Sequence, residues 1–244
     1  MTFMFQEFLK EGSSSPCVAR LMMGIFDLRD QVIQSQADRV SFDELYDPVL
    51  GAANVCRKAT VKIVSTVDHH RTELQKVIVR KHGGVTLPES IDAVLSESVD
   101  ALLVNGVIAI KSLQEVVRPL GIDIGSLFAK QANFEKGMVT LRAAGHASLA
   151  DFLSETRSRW SESLVKRRDE LEHAGWTLPR CGYRRIALDA FELVEPHVDG
   201  FSVTTYSQRM RGRILSFIEN VMAYAFQSFC PDIAVVEIPV SEGV

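Results

Sequence analysis

The chain has 244 residues, of which 46% are hydrophobic and 24% are charged. Both shares are average for globular proteins and exclude a disordered, fibrous or collagen-like chain. The formal net charge of −4 argues against a generic nucleic-acid coat protein, which needs a basic surface.

No stretch approaches the roughly 20 apolar residues that a membrane-spanning helix needs. The longest uncharged run in the middle, residues 101–110, contains Asn105 and Gly106. Residues 1–9 lack a basic region and a small-residue cleavage site, so we expect no secretion signal. Because no CxxC pair occurs, we expect neither disulfides nor zinc, and reduced thiols in a cytoplasmic protein. The scattered cysteines are Cys17, Cys56, Cys181 and Cys230.

Apolar residues at helical spacing predict two helices in the first third of the chain. The first follows Ser15 and Pro16, which suit an N-cap and the first helical position. The second is longer and extends to about Arg80. Ser41 and Glu44 form its candidate capping box.

Two more helices are predicted before residue 146. Thr86 and Glu89 offer a capping box for a third helix, which Pro119 ends. A fourth helix stops near Gly145, the residue type favoured just past a helix end. Its apolar face is formed by Leu127, Phe134, Met138 and Leu141.

A fifth helix is predicted from Ser148, as the N-cap, to Gly175. With Gly175 in a left-handed conformation, Trp176 would pack back on Leu171, the contact that accompanies such helix endings. The apolar stripe of this helix comprises Leu149, Phe152, Leu153, Trp160, Leu164 and Leu171.

Beyond Pro179 the pattern changes from helical spacing to alternation. Residues 186–190 alternate and residues 198–201 are typical of a turn, which together predict a hairpin. Helical spacing returns over 210–229, and 233–240 is a β-type run that we expect to pair with the hairpin. The sequence therefore predicts a mainly α protein. It comprises a helical bundle over 1–182 and a short C-terminal α+β extension (hairpin, helix, strand) over 183–244.

Charge is unevenly distributed along the chain. Between residues 157 and 213 eleven residues are basic and eight are acidic, so this segment carries +3 and the remainder −7. Ten of those eleven cations are arginine, which suits bidentate contact with phosphate or carboxylate. An ordinary solvated surface with ion pairs is the alternative interpretation.

Polar groups cluster at the end of the fifth helix. Arg167 and Arg168 lie near its apolar stripe, so their guanidinium groups either reach the surface or face a polar cleft. His173 lies in the last turn, where the exposed carbonyls favour its protonated form. Asp169, one turn earlier, is placed to orient the imidazole for acid–base work, although a plain capping histidine would have the same sequence.

Arg168, Asp169 and His173 resemble the motif of the HEPN (higher eukaryotes and prokaryotes nucleotide-binding) family, in which an arginine, a polar residue, a short spacer and a histidine follow one another. The similarity extends over about residues 89–182. Family members with this motif are commonly helical, metal-independent, dimeric endoribonucleases of toxin–antitoxin, defence or RNA-processing systems. Some have a tyrosine two residues after the histidine, where this chain has Gly175, which argues against an adenylylation-controlled toxin.

The resemblance implies attack of a ribose 2′-hydroxyl on the adjacent phosphate. Arg168 would stabilise the charged transition state, His173 would transfer a proton and Asp169 would hold the imidazole. Since Arg168 and His173 lie about 140° apart around one helix, we expect two copies of the chain to form each site.

The sequence gives little support for a metal site, for a known catalytic or phosphate-binding motif, or for tryptophans that stack on bases. Asp68, His69, His70 and His82 lack the i, i+4 spacing of a metal site. No nucleophile elbow, Walker loop, GxGxxG turn or HExxH helix occurs. The two tryptophans could stack on bases, but core or cap packing is the more common role.

The leading hypothesis is therefore a cytoplasmic, homodimeric, HEPN-like endoribonuclease or RNA-binding protein without metal or cofactor. An antitoxin or operon partner is expected, and no membrane. Its candidate catalytic residues are Arg168, Asp169 and His173, and its candidate RNA-binding residues are Arg167, Arg180, Arg184 and Arg185. Two alternatives stay open: a non-catalytic helical scaffold or regulatory dimer, and a small-molecule or nucleotide-binding bundle.

Overall fold

The computed structural model describes residues 19–33, 35–76, 86–187 and 190–229, and these are mainly helical. The predicted fold class, mainly α with a short α+β region, is confirmed. A π-helical turn (Ala19–Gly24) precedes the first α-helix, and 3₁₀ turns lie at Arg118–Leu120 and Gly125–Phe128. The α-helices are α1 (Ile25–Val32), α2 (Gln36–Leu74), α3 (Asp92–Val117), α4 (Gln131–Ala143), α5 (Ala147–Thr156), α6 (Glu162–His173) and α7 (Val203–Phe229).

Two short antiparallel hairpins connect α6 to α7, where one was predicted. Strand β1 (Gly182–Arg185) pairs with β2 (Phe191–Val194), and β3 (His197–Val198) pairs with β4 (Phe201–Ser202). Asp199 and Gly200 join the second pair with φ values of 50° and 83°, as a type I′ turn requires. The expected turn is thus confirmed, and the expected strand at 233–240 lies outside the described residues.

The core is formed by α2, α3 and α7, which pack against one another along much of their lengths. Residues from both sides of position 182 belong to this one hydrophobic cluster. The C-terminal helix is therefore part of the bundle. Fully buried side chains at its centre include Tyr46, Ile63, Leu95, Leu102, Leu103, Phe217 and Phe226.

Helix α3 is long and apolar enough to cross a membrane by length and composition alone. It packs instead between α2, α6 and α7. Half of its most apolar window is buried inside the protein.

Two predicted helix starts are wrong by a few residues. Helix α2 begins at Gln36, and Ser35 caps it with extended backbone and a hydroxyl that accepts from the Asp38 N–H at 3.5 Å. Ser41 and its capping-box partner lie inside the helix, where no free N–H groups remain to be capped. Helix α3 begins at Asp92, whose N–H donates to the Ser90 hydroxyl at 3.2 Å. The start predicted at Ser15 lies outside the described residues.

Candidate functional site

The candidate site lies on one helical segment that runs from Ala147 to His173. It comprises α5, a π-helical segment (Arg157–Ser161) and α6. Its extent is close to the prediction, but Ser148 lies inside the first turn and is not the N-cap; His146 precedes the helix, and no side-chain hydrogen bond caps its start. The π segment was not predicted. It is a wider turn that changes the register of the apolar stripe, so Leu164 is fully buried while Leu171 is only partly buried.

The end of α6 has the predicted left-handed glycine. Gly175 has a φ of 67°, and the N–H of Trp176 returns to the carbonyl of Glu170 at 3.1 Å. The Arg167 guanidinium lies 5.1 Å from the centre of the Trp176 ring. His173 is the last residue of α6, as expected.

His173 points to solvent at the edge of an open cleft. Its side chain is 73% exposed, and its nearest carboxylate is Glu172, with Nε2 and Oε2 3.8 Å apart. The cleft has a volume of about 420 Å³, and Asp169 and His173 both line it. Its other charged lining residues are Arg157, Glu162, Lys166 and Glu170.

The predicted role of Asp169 in orienting His173 is not seen. Asp169 accepts a hydrogen bond from Arg168 Nη1 at 3.0 Å. Across the described part of the chain no hydrogen bond joins Asp169 to His173. The exposed imidazole is therefore not held by a hydrogen bond from any residue that the structure describes.

Arg168 lies away from the cleft that His173 lines. Its side chain is 24% exposed and pairs with Asp169 at 3.0 Å and with Glu172 at 2.8 Å. Glu172 lies between Arg168 and His173, since its carboxylate is 2.8 Å from Arg168 Nη2 and 3.8 Å from His173 Nε2. In one chain the two motif residues therefore flank an acidic group, which would repel a phosphate.

Arg167 fastens the end of α6 to the β3–β4 turn. It pairs with Glu170 at 2.7 Å and with Asp199, which also accepts a hydrogen bond from Ser163. Burial alone would raise the pKa of Asp199, but the hydrogen bonds from Ser163 and Arg167 outweigh burial and hold that pKa below its usual value. The guanidinium of Arg167 therefore has a structural partner on each side.

The other expected RNA-binding arginines lie on and before the first hairpin. Arg184 of β1 pairs with Glu192 across the strands, with Nε 3.0 Å from the carboxylate. Arg185 donates to the carbonyl of Ala187 at 3.1 Å. Arg180 is exposed in the segment before β1. Both of these hydrogen bonds lie within the first hairpin and its connecting loop.

A polar cluster that the sequence did not reveal joins this hairpin to α2 and α3. His70 is buried, with Nε2 2.9 Å from the Tyr183 hydroxyl, and Asp92 accepts from the N–H of Cys181 at 2.8 Å. Burial, together with Asp92, raises the pKa of the Cys181 thiol to about 12, so the thiol is protonated and not a nucleophile. The cluster thus anchors the hairpin.

No group of three metal-ligating side chains is present within the described ranges. His69 is exposed and His70 is bonded to Tyr183, while His82 lies outside those ranges.

Comparison with known proteins gives no relative. No protein-family model matches the chain, and no curated protein or solved structure is significantly similar to it.

Proposed function

We propose that this protein is a cytoplasmic, HEPN-like, metal-independent endoribonuclease or RNA-binding protein of a toxin–antitoxin or defence system. The observation that carries the proposal is the exposed imidazole of His173 at a helix end, on the rim of a cleft of about 420 Å³. An acid–base group must reach its substrate, and this histidine is accessible.

The proposed active form is a homodimer. Arg168 and His173 belong to one short motif, but in one chain the carboxylate of Glu172 lies between them. Two α6 ends that meet across a two-fold axis would let Arg168 of one copy approach His173 of the other. His173 would then transfer a proton during 2′-hydroxyl attack, and Arg168 would stabilise the charged transition state.

The second candidate function is a non-catalytic helical scaffold or regulatory dimer. Arg168 pairs with two carboxylates, and within the described residues Asp169 forms no hydrogen bond that would orient His173. Two carboxylates already balance the charge of this guanidinium, which weakens its attraction for a phosphate. This arrangement favours a protein that has the motif without cleaving RNA.

Cleavage of RNA separates the two candidates. We would incubate purified protein with mixed RNA in chelator and compare it with the His173→Ala variant and with His69→Ala, which removes an exposed histidine of α2. The enzyme hypothesis expects products with 2′,3′-cyclic phosphate ends, and a loss of about a hundredfold or more for His173→Ala alone. Equal cleavage by all three proteins, or none, excludes His173 catalysis.

A mixing experiment tests the shared site. Arg168→Ala and His173→Ala are each expected to be inactive alone. If each site takes its arginine from one copy and its histidine from the other, random pairing of the two variants restores roughly a quarter of the activity. No recovery after subunit exchange would exclude a site built from two copies.

A further inference from the structure

A second concave region lies on the side of the 147–173 helix that faces α7. It is an open, mainly apolar groove with a volume of about 500 Å³, within the range of small-molecule sites. Phe152 and Trp160 line it from one side and Phe217 from the other. Phe217 stacks on Phe152 with ring centres 5.8 Å apart and meets Trp160 edge to face at 6.1 Å. Phe152 is partly buried, whereas Trp160 and Phe217 are only 7% and 1% exposed, so Phe152 presents most of the aromatic surface of the groove.

Two arginines of α7, one helical turn apart, line the same groove. Neither Arg209 nor Arg213 forms an ion pair with any residue that the structure describes. The Arg209 guanidinium lies 4.2 Å from the centre of the Phe201 ring, and Arg213 is half-buried. Like charges at this spacing repel, and the groove offers them no carboxylate.

Arg213 is the more enclosed of the two cations. Burial, and then repulsion from Arg209 and Arg159, lowers the pKa of its guanidinium. Arg159 itself pairs with Glu155 at 2.8 Å. Half-buried Arg213 and exposed Arg209 thus place two positive charges together, and no acid among the described residues pairs with either, an arrangement that a bound anion would stabilise.

Two further features occur at this groove. Trp160 belongs to the π-helical segment, a rare conformation that is frequent at functional sites. On the α7 side, the Ser216 hydroxyl is buried without a hydrogen-bond partner in the described part of the chain. A buried hydroxyl of this kind costs stability unless a partner arrives.

We propose that this groove binds a nucleoside monophosphate, with its phosphate at Arg213 and Arg209 and its base against Phe152 and Trp160. Arginine forks match phosphate oxygens, and aromatic side chains pack against the flat face of a base. The volume fits one nucleotide better than a strand. The site is separate from the cleft of His173 and does not depend on RNA cleavage.

Tryptophan fluorescence gives a direct readout, since the chain has two tryptophans. In the Trp176→Phe variant the remaining tryptophan, Trp160, lies in the groove. Adenosine 5′-monophosphate is expected to quench it, and adenosine or inorganic phosphate alone to bind at least tenfold more weakly. Calorimetric titration of the unmodified chain repeats the measurement without the substitution.

Arg213→Gln tests the phosphate contact. It breaks no ion pair within the described ranges, so the variant is expected to fold and to bind the monophosphate about tenfold more weakly or worse. The matched control is Arg211→Gln, an arginine of the same helix that does not line the groove, and it is expected to bind normally. Three results would overturn the proposal: no binding, equal loss in both variants, or binding of adenosine or phosphate as tight as that of the nucleotide.

Discussion

Two pairs of arginines in the described part of the chain, one at the end of α6 and one on α7, differ in their partners. At the end of α6, Arg167 pairs with Glu170 and Asp199, and Arg168 pairs with Asp169 and Glu172. On α7, Arg209 and Arg213 form no ion pair within the described residues. The positive charge of the α6 arginines, which include the motif recognisable in the sequence, is thus more fully balanced by acids than that of the α7 pair. An arginine cluster indicates an anion site only where its charge is not already balanced.

Acid spacing explains much of this contrast. On α6, Glu170 follows Arg167 by three residues and Glu172 follows Arg168 by four, positions that share a helix face. No acidic residue lies three or four positions from Arg209 or Arg213. This local spacing could have singled out the α7 pair from the sequence.

The largest expected effect is a loss of stability when the packing of α6, which carries Arg167 and Arg168, is disturbed. Leu164 is fully buried on α6, between the π segment and the motif. Leu164→Ala is expected to lower the free energy of unfolding by about 2–5 kcal/mol, because it leaves a cavity where α6 meets α3. Urea unfolding measures the change. Leu171→Ala, at a half-buried position of the same helix, is the control, and an equal loss in both would contradict the packing described.

A smaller loss of stability is expected when Arg167 loses the negative charge of Asp199. Asp199→Asn keeps a residue type that tolerates the positive φ of the turn but removes the charge opposite Arg167. The loss of charged hydrogen bonds is expected to cost about 1–3 kcal/mol at neutral pH, as measured by urea unfolding. Asp151→Asn, which removes an exposed carboxylate paired with Arg142, is the control and should cost less.

The stability that Asp199 contributes depends on pH in a defined direction. Because the folded pKa of Asp199 lies below 3.8, the pKa of an unperturbed aspartate, its contribution to stability is fully present above that value and is lost as pH falls through the folded pKa. The stability difference between the unmodified chain and Asp199→Asn should therefore shrink as pH drops below 3.8. A difference that stays constant with pH would exclude this carboxylate as its source.

Local patterns were sufficient for much of the fold. The helix ends at Gly145 and Gly175 and the turn at Asp199 follow from residue types that adopt positive φ, and all three have it. The start of α2 was missed because Ser35 and Ser41 are equally good caps by residue type, and packing decides between them. No local sequence pattern predicts the π-helical segment.

The site was less predictable because its partners are distant in sequence. Nothing near Arg167 indicates that Asp199, on a turn 32 residues later, will pair with it. His70 and Tyr183, 113 residues apart, likewise meet only after the hairpin packs on α2. Because these partners come from different elements, their contacts could be found only from the fold.

The smallest expected effect is a change in RNA affinity, which tests whether the ion pairs of Arg168 prevent it from binding RNA. Glu172→Gln removes one of its two carboxylates, and since the pair is partly exposed, stability should change by no more than about 1 kcal/mol. If Arg168 meets phosphate, the freed guanidinium should bind RNA severalfold more tightly in a filter-binding titration at fixed salt. Glu115→Gln, which frees Arg118 on another helix, removes the same charge from the chain and serves as the control. Equal gains in both variants would mean that only net charge matters, and Arg168 would then have no specific part in binding RNA.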